Sequence, residues 1–188
     1  GQEFSGFYAG ANFEVVSALK QWATGVGSST IYIWGTSGTG KSHLLQAAVK
    51  AADLAGARTI YVPVCELLRA GTQILDGLHE LDAIAFDDIG LCGGHKGWES
   101  GLFALYNAVQ TAGNRLLMAA RESPKAAPFE LPDLCSRVQA SLVYRLRELD
   151  DAGKAEILRQ TAEDRGIPLP QSVLDLIMQR ERLRVGSF

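Results

Sequence analysis

Apolar, β-prone runs punctuate the chain at Ile31–Trp34, Thr59–Pro63, Ala83–Asp87, Leu116–Ala119 and Leu142–Tyr144. Longer helix-compatible segments lie between most of them, at Phe13–Gly25, Ser42–Gly56, Val64–Leu78 and Glu99–Gly113. Strand runs alternating with helix-length segments predict an α/β fold built on a five-stranded parallel sheet. Glycine at a segment end is a common helix stop. After Asp150 the texture changes to two amphipathic stretches, Ala152–Arg165 and Pro170–Arg184, separated by Gly166-Ile167-Pro168-Leu169. In the second, Val173, Leu174, Ile177 and Met178 fall on one helical face and are expected to form packing contacts. The organisation expected is therefore a main domain over residues 1–150 and a helical lid over 151–188, with the lid truncated.

The 188 residues are enough to bury a full α/β core. No apolar run reaches membrane-spanning length, and no signal-peptide pattern opens the chain. The first residues, Gly1-Gln2, lack an initiating methionine, so native residues are expected upstream. A formal net charge of −3 gives none of the basic footprint that duplex DNA binding requires, and direct sequence-specific DNA binding is not expected. Cys65, Cys92 and Cys135 are widely spaced and form no C-x-x-C pair, so neither a disulfide framework nor a zinc site is indicated. Reduced thiols and a cytoplasmic location are the plain expectation.

The chemistry concentrates first at Gly35-Thr36-Ser37-Gly38-Thr39-Gly40-Lys41-Ser42, a G-x-x-x-x-G-K-[ST] phosphate loop between a strand and a helix. Its glycines let backbone N–H groups wrap phosphate oxygens. Lys41 brings a point charge, Ser42 offers a hydroxyl to Mg²⁺, and the following helix adds its N-terminal dipole. A glycine-rich chain can produce such a string in an ordinary turn, but the strand before and helix after favour the nucleotide site. His43 stands next to this set, although it lies past the residues whose backbone forms the cradle.

The second half of the site is Ala83-Ile84-Ala85-Phe86-Asp87-Asp88-Ile89, an apolar strand ending in two carboxylates at the edge where parallel α/β sheets bind ligands. Asp87 is expected to hold Mg²⁺ through water, and Asp88 to polarise the attacking water. Alone, such a pair is an acidic turn; about one βα unit after a phosphate loop, it gains a role. Arg137, just before the last strand run, is open to two interpretations: a surface arginine near a helix C-terminus, or an arginine finger that meets a γ-phosphate in a neighbour.

In this order, the pieces resemble the DnaA family of AAA+ ATPases, and within it the Hda-type regulators. The resemblance is carried by Phe4-Ser5-Gly6-Phe7-Tyr8-Ala9-Gly10-Ala11-Asn12, Gly35 through Leu45, Phe86-Asp87-Asp88-Ile89, Trp98-Glu99, Phe103-x-Leu105-Tyr106-Asn107, Arg115-Leu116-Leu117 and Leu131-Pro132-Asp133-Leu134-x-Ser136-Arg137. It implies ATP or ADP with Mg²⁺ as cofactors. It implies that Phe7, Tyr8 and Asn12 line the base pocket, and that Arg137 is a finger acting on a neighbouring subunit's nucleotide. Arg182 or Arg184 is the implied second sensor, though a solvated charged helix face explains both equally well.

The chain departs from the family at the end of the fourth strand. Where a polar pair that includes an aspartate is expected, it reads Met118-Ala119-Ala120-Arg121-Glu122. Without a polar group there to orient water, hydrolysis by its own site is expected to be weak, with a nucleoside diphosphate as a resting ligand. Within these 188 residues neither a helix-turn-helix pattern nor a Gln-Leu-x-Leu-Pro-Leu type clamp-docking peptide is read, so reading of initiator boxes on DNA is not expected of them. The expected partners are DnaA and, through a docking peptide outside this sequence, the DNA sliding clamp; a homo-oligomer is also open. The leading expectation is a regulator of replication initiation that promotes ATP hydrolysis by DnaA. The alternatives are an ATPase motor or DnaA paralogue of helicase-loader type, and a nucleotide-gated binding module without catalysis. A small-molecule kinase is disfavoured by the acidic strand and the helical lid.

Overall fold

Residues 12–185 are described in the computed structural model. The elements run α1 (Phe13–Ala23), β1 (Thr30–Trp34), α2 (Lys41–Leu54), β2 (Thr59–Pro63), α3 (Val64–Leu67), β3 (Ala83–Asp87), α4 (Lys96–Ala112), β4 (Arg115–Ala120), α5 (Pro132–Ala140), β5 (Leu142–Arg145), α6 (Asp151–Asp164) and α7 (Gln171–Val185). All strand pairs are parallel, in the order β2-β3-β4-β1-β5. The five expected strands are all present, within a residue of the bounds read from the sequence.

Alternation along each strand divides the core into two layers. Ile31, Ile33, Ala83, Ala85, Leu117 and Ala119 face a layer formed with Val16, Leu19 and Trp22 of α1 and Leu44, Leu45 and Ala48 of α2. Tyr32, Ile84, Phe86, Leu116 and Met118 face Trp98, Leu102, Leu105 and Val109 of α4 and Leu134 and Val138 of α5. Ala83, Ala85 and Ala119 meet Ala47, Ala48 and Ala52 of α2 within the first layer. Small residues on both sides let α2 lie close against the sheet, and this fixes where its N-terminus presents phosphate-binding groups.

Two expectations need correction. Val64–Leu78 is not one helix: after the single turn of α3 the chain makes short 3₁₀ turns at Leu68–Ala70, Thr72–Leu75 and Leu78–Glu80. Gly71 (φ 94°) and Gly77 (φ 76°) adopt positive φ and interrupt the helix, while Leu75 and Leu78 still reach the core. In α7, Leu174 and Met178 are buried, but Val173 is 41% exposed. The buried stripe is thus narrower than the periodicity predicted, because α7 packs chiefly on α6.

Candidate nucleotide site

The phosphate loop leaves β1, which lies between β4 and β5. Its root is held on both sides: Gly35 N–H donates to Ala120 O at 3.2 Å, and Leu146 N–H donates to Trp34 O at 2.7 Å. A Cβ on Gly35 would lie 2.9 Å from the Leu146 carbonyl oxygen and 3.1 Å from Thr39 Oγ1, so this position has no room for a side chain. Gly38 and Gly40 take φ of 81° and 84°, the left-handed conformation that turns successive N–H groups into one concavity. The buried Thr39 hydroxyl donates to Thr36 O at 2.9 Å and braces the turn from inside. Thr36 Oγ1 lies 3.4 Å from Glu148 Oε1, tying the loop to the segment before the lid.

Lys41 opens α2, and its Nζ donates to Gly35 O at 2.7 Å and Thr36 O at 2.8 Å. Burial pushes its pKa below the usual lysine value, opposed by the nearby Asp88 and Asp87 carboxylates. Ser37, Gly38, Gly40, Lys41, Ser42, His43, Asp88 and Arg121 line one pocket of about 220 Å³. His43 is half-buried on its wall. The structure therefore brings Ser37, Gly38, Gly40, Lys41 and Ser42 of the loop and Asp88 to one pocket.

Asp87 ends β3 and is 6% exposed. The Tyr61 hydroxyl donates to its Oδ2 at 2.6 Å, while Oδ1 is buried with no hydrogen-bond partner among the described residues. Ser42 and Gln46 also interact with that hydroxyl, and burial is the main reason the Tyr61 pKa is raised. Tyr61 thus bridges the two residues expected to serve Mg²⁺, a role that its place in an apolar strand run did not reveal. Asp88 has φ 54°, the only positive value for a non-glycine among the described residues. This corner turns its carboxylate away from the line of β3 and toward the loop, where Arg121 Nε lies 3.7 Å from Oδ1.

Those of the remaining expected residues that are described do not line this pocket. Asn12 is buried, but its amide is committed to one peptide unit: Nδ2 donates to Arg147 O at 3.2 Å, and Oδ1 accepts from Arg147 N–H at 3.0 Å. In this structure Asn12 staples the start of α1 to the segment after β5. Phe7 and Tyr8 lie outside the described residues. Arg137 is exposed on α5, with its guanidinium carbon 6.0 Å from the Phe103 ring centroid, and it does not line the phosphate pocket. Arg182 pairs within the lid, with Nε 3.4 Å from Asp151 Oδ2, and is likewise absent from the pocket wall. The Arg184 side chain lies outside what is described.

Glu99 was legible only as part of a resemblance, and the structure gives it a physical task. It is 2% exposed, and its carboxylate accepts N–H bonds from Gly94 at 2.7 Å, Glu130 at 2.9 Å and Leu131 at 2.6 Å. It thereby fixes the start of α5, the helix that carries Arg137, to α4.

With this geometry in place, comparison with known proteins decides the family. The bacterial DnaA ATPase domain family matches residues 2–145. The chain belongs to the DnaA ATPase domain family. Domain III of the Thermotoga maritima replication initiation protein DnaA superposes with a TM-score of 0.74 at 24% identity, over 94% of this chain and 80% of that one. AMPPCP-bound DnaA from Aquifex aeolicus gives a TM-score of 0.67 at 23% identity, over 90% of this chain and 57% of that one. A replication initiator DnaA bound to AMPPCP and single-stranded DNA gives 0.67 at 24% identity, and this chain spans 56% of its length. DnaI shares the fold at a TM-score of 0.64 and 12% identity, over 76% of this chain and 85% of that one. The α/β AAA+ fold with a five-stranded parallel sheet is therefore shared with DnaA domain III. Among the described residues, no helix is long and apolar enough to cross a membrane.

Proposed function

We propose that this DnaA-family domain binds ATP or ADP with Mg²⁺ in the Gly35–Ser42 loop and regulates replication initiation by promoting ATP hydrolysis on DnaA. The donor set fits the cofactor. Asp87 Oδ1 is a buried carboxylate oxygen with no hydrogen-bond partner among the described residues, which a hydrated cation would satisfy, and Ser42 lines the adjoining pocket. Mg²⁺ is ordinarily held by one or two protein oxygens together with phosphate oxygens, and this site offers such a partial set. When bound, Mg–ATP supplies a terminal phosphoryl group whose presence distinguishes two states of the domain. Lys41 and the loop N–H groups would hold the phosphates; Asp87, whose Oδ2 accepts from Tyr61, would hold the cation through water; Asp88, on the pocket wall, would polarise the attacking water.

The observation that carries the regulatory part is the position of Arg137. It projects from the exposed face of α5, outside its own phosphate pocket, on a helix anchored by the buried Glu99. An arginine so placed is available to a nucleotide held by another subunit, where a finger supplied in trans is worth roughly 10³-fold or more in rate. The chain's own site presents Arg121 at the end of β4 rather than a neutral polar group, in keeping with weak hydrolysis in cis. Mixing the protein with ATP-loaded DnaA and clamp-loaded DNA is expected to accelerate hydrolysis, and Arg137→Ala to abolish that acceleration. Equal acceleration by the variant would overturn the proposal.

A second interpretation has its own observation: Asp88 shares the pocket with Lys41 and Ser42, as in an ATPase acting on its own account. Turnover by the isolated chain that disappears in Asp88→Asn would favour this interpretation.

A further inference from the structure

We propose that a buried run of hydroxyls, Tyr106 and Ser141 with Thr30 behind them, aims Arg137 by fixing the last turn of α5. Tyr106 and Ser141 are then positioning residues for the action of Arg137 on a nucleotide held by a neighbouring subunit. The inference rests on the proposal that Arg137 acts in trans, and it deepens that proposal by naming what sets the direction of an exposed side chain.

Arg137 lies in the last turn of α5, a nine-residue helix over Pro132–Ala140. In a continuing α-helix its carbonyl would accept from the N–H of Ser141, four residues on. That N–H turns instead to Val138 O at 3.3 Å, and the Ser141 hydroxyl takes its place, donating to Arg137 O at 3.2 Å. Ser141 Oγ lies 3.3 Å from the hydroxyl of Tyr106 on α4, which donates to Thr30 Oγ1 of β1 at 3.4 Å. Tyr106, Thr30 and Ser141 are 4%, 6% and 8% exposed, so these hydroxyls depend on one another for partners.

One stripe of α4 serves both ends of α5. Glu99, Phe103 and Tyr106 stand at i, i+4 and i+7, on one helical face and spread over about 10 Å of its axis. The nine residues of α5 span about 14 Å. Glu99 holds the N–H groups of Glu130 and Leu131 that lead into α5, and the Phe103 ring lies 6.0 Å from the Arg137 guanidinium carbon. Tyr106 reaches the Arg137 carbonyl through Ser141. The apolar contacts of Leu134 and Val138 press α5 onto the core without a preferred direction. Hydrogen bonds are directional, and a buried set of them fixes how the last turn is rotated.

The test mixes the full chain, titrated to saturation, with ATP-loaded DnaA and clamp-loaded DNA, comparing wild type with Tyr106→Phe, Ser141→Ala, the double variant and Arg137→Ala. Tyr106→Phe keeps the ring and removes only the hydroxyl. Each single hydroxyl variant is expected to lower the saturated rate of hydrolysis on DnaA about tenfold, with the half-saturating concentration changed less than about twofold. The double variant is expected to be no slower than the slower single one, because both changes break the same run of contacts. Thermal unfolding midpoints are expected to stay within about 5 °C of wild type. Wild-type saturated rates in Tyr106→Phe and Ser141→Ala, with Arg137→Ala inactive, overturn the positioning role and leave the finger standing. A fall in rate that comes with a larger drop in the unfolding midpoint, or with a matching rise in the half-saturating concentration, also overturns it. Absence of acceleration by the wild type, or equal acceleration by Arg137→Ala, overturns both proposals.

Discussion

At the scale of single residues, Tyr61 couples the two groups proposed to serve a cation. Its hydroxyl donates to Asp87 Oδ2 at 2.6 Å and also interacts with Ser42, leaving Asp87 Oδ1 buried and available. Groups that orient metal-facing carboxylates typically change metal affinity by 10- to 100-fold when removed. Tyr61→Phe is therefore expected to weaken ATP binding by about tenfold in the presence of Mg²⁺ and hardly at all in EDTA, as read by nucleotide titration. An equal loss in both conditions would assign Tyr61 a structural role instead. The phosphate loop was readable from sequence because its chemistry is consecutive: backbone cradle, Lys41 and Ser42 fall within one octapeptide. Tyr61 was not readable as a site residue, since it reaches the site only when β2 pairs with β3, whereas the position of Arg121 was marked only as a departure from the family at the end of β4. Asn12 shows a different limit, because its residue type fits a base pocket equally well as the two hydrogen bonds it makes to Arg147.

At the scale of elements, the junction of α4 with α5 is the part of the fold most directly tied to Arg137. Glu99 holds the N–H groups of Glu130 and Leu131, Trp98 Nε1 donates to Leu68 O at 3.1 Å, and Gly93 packs so closely on Pro128 that a Cβ would meet its carbonyl oxygen at 2.5 Å. Replacing Glu99 by alanine removes an acceptor from three backbone donors in a partly buried setting, at a cost of roughly 2–4 kcal/mol. Urea unfolding of Glu99→Ala is expected to show that loss; a change under about 0.5 kcal/mol would mean that α5 is held by its apolar contacts alone. The strands were legible because sheet residues buried on both faces read as unbroken apolar runs. The segment after β2 was not, because its leucines keep a helix-like spacing while Gly71 and Gly77 divide it into 3₁₀ turns. In the turns as folded, Leu75 packs against Gly101 of α4, where an added Cβ would lie 2.6 Å from Leu75 Cδ1.

At the scale of the whole molecule, strand order gathers the loop after β1, the Asp87–Asp88 corner after β3 and Arg121 after β4 at one edge of the sheet, while Arg137 lies outside that pocket. Nucleotide binding and the proposed action on a partner therefore occupy different surfaces of one domain. The helices α6 and α7 follow, with Leu174 and Met178 of α7 buried and Arg182 paired to Asp151 of α6. Its resemblance-based role as a second sensor thus requires Arg182 to exchange that partner for phosphate. The central claim is that hydrolysis promoted by this protein takes place on DnaA. Its most direct test loads DnaA with labelled ATP and this domain with unlabelled ATP, mixes them with clamp-loaded DNA, and follows the label. The account predicts rapid conversion of the labelled ATP with wild type and conversion at the rate of DnaA alone with Arg137→Ala. Consumption of only the unlabelled nucleotide, with the label turning over no faster than in DnaA alone, would contradict it.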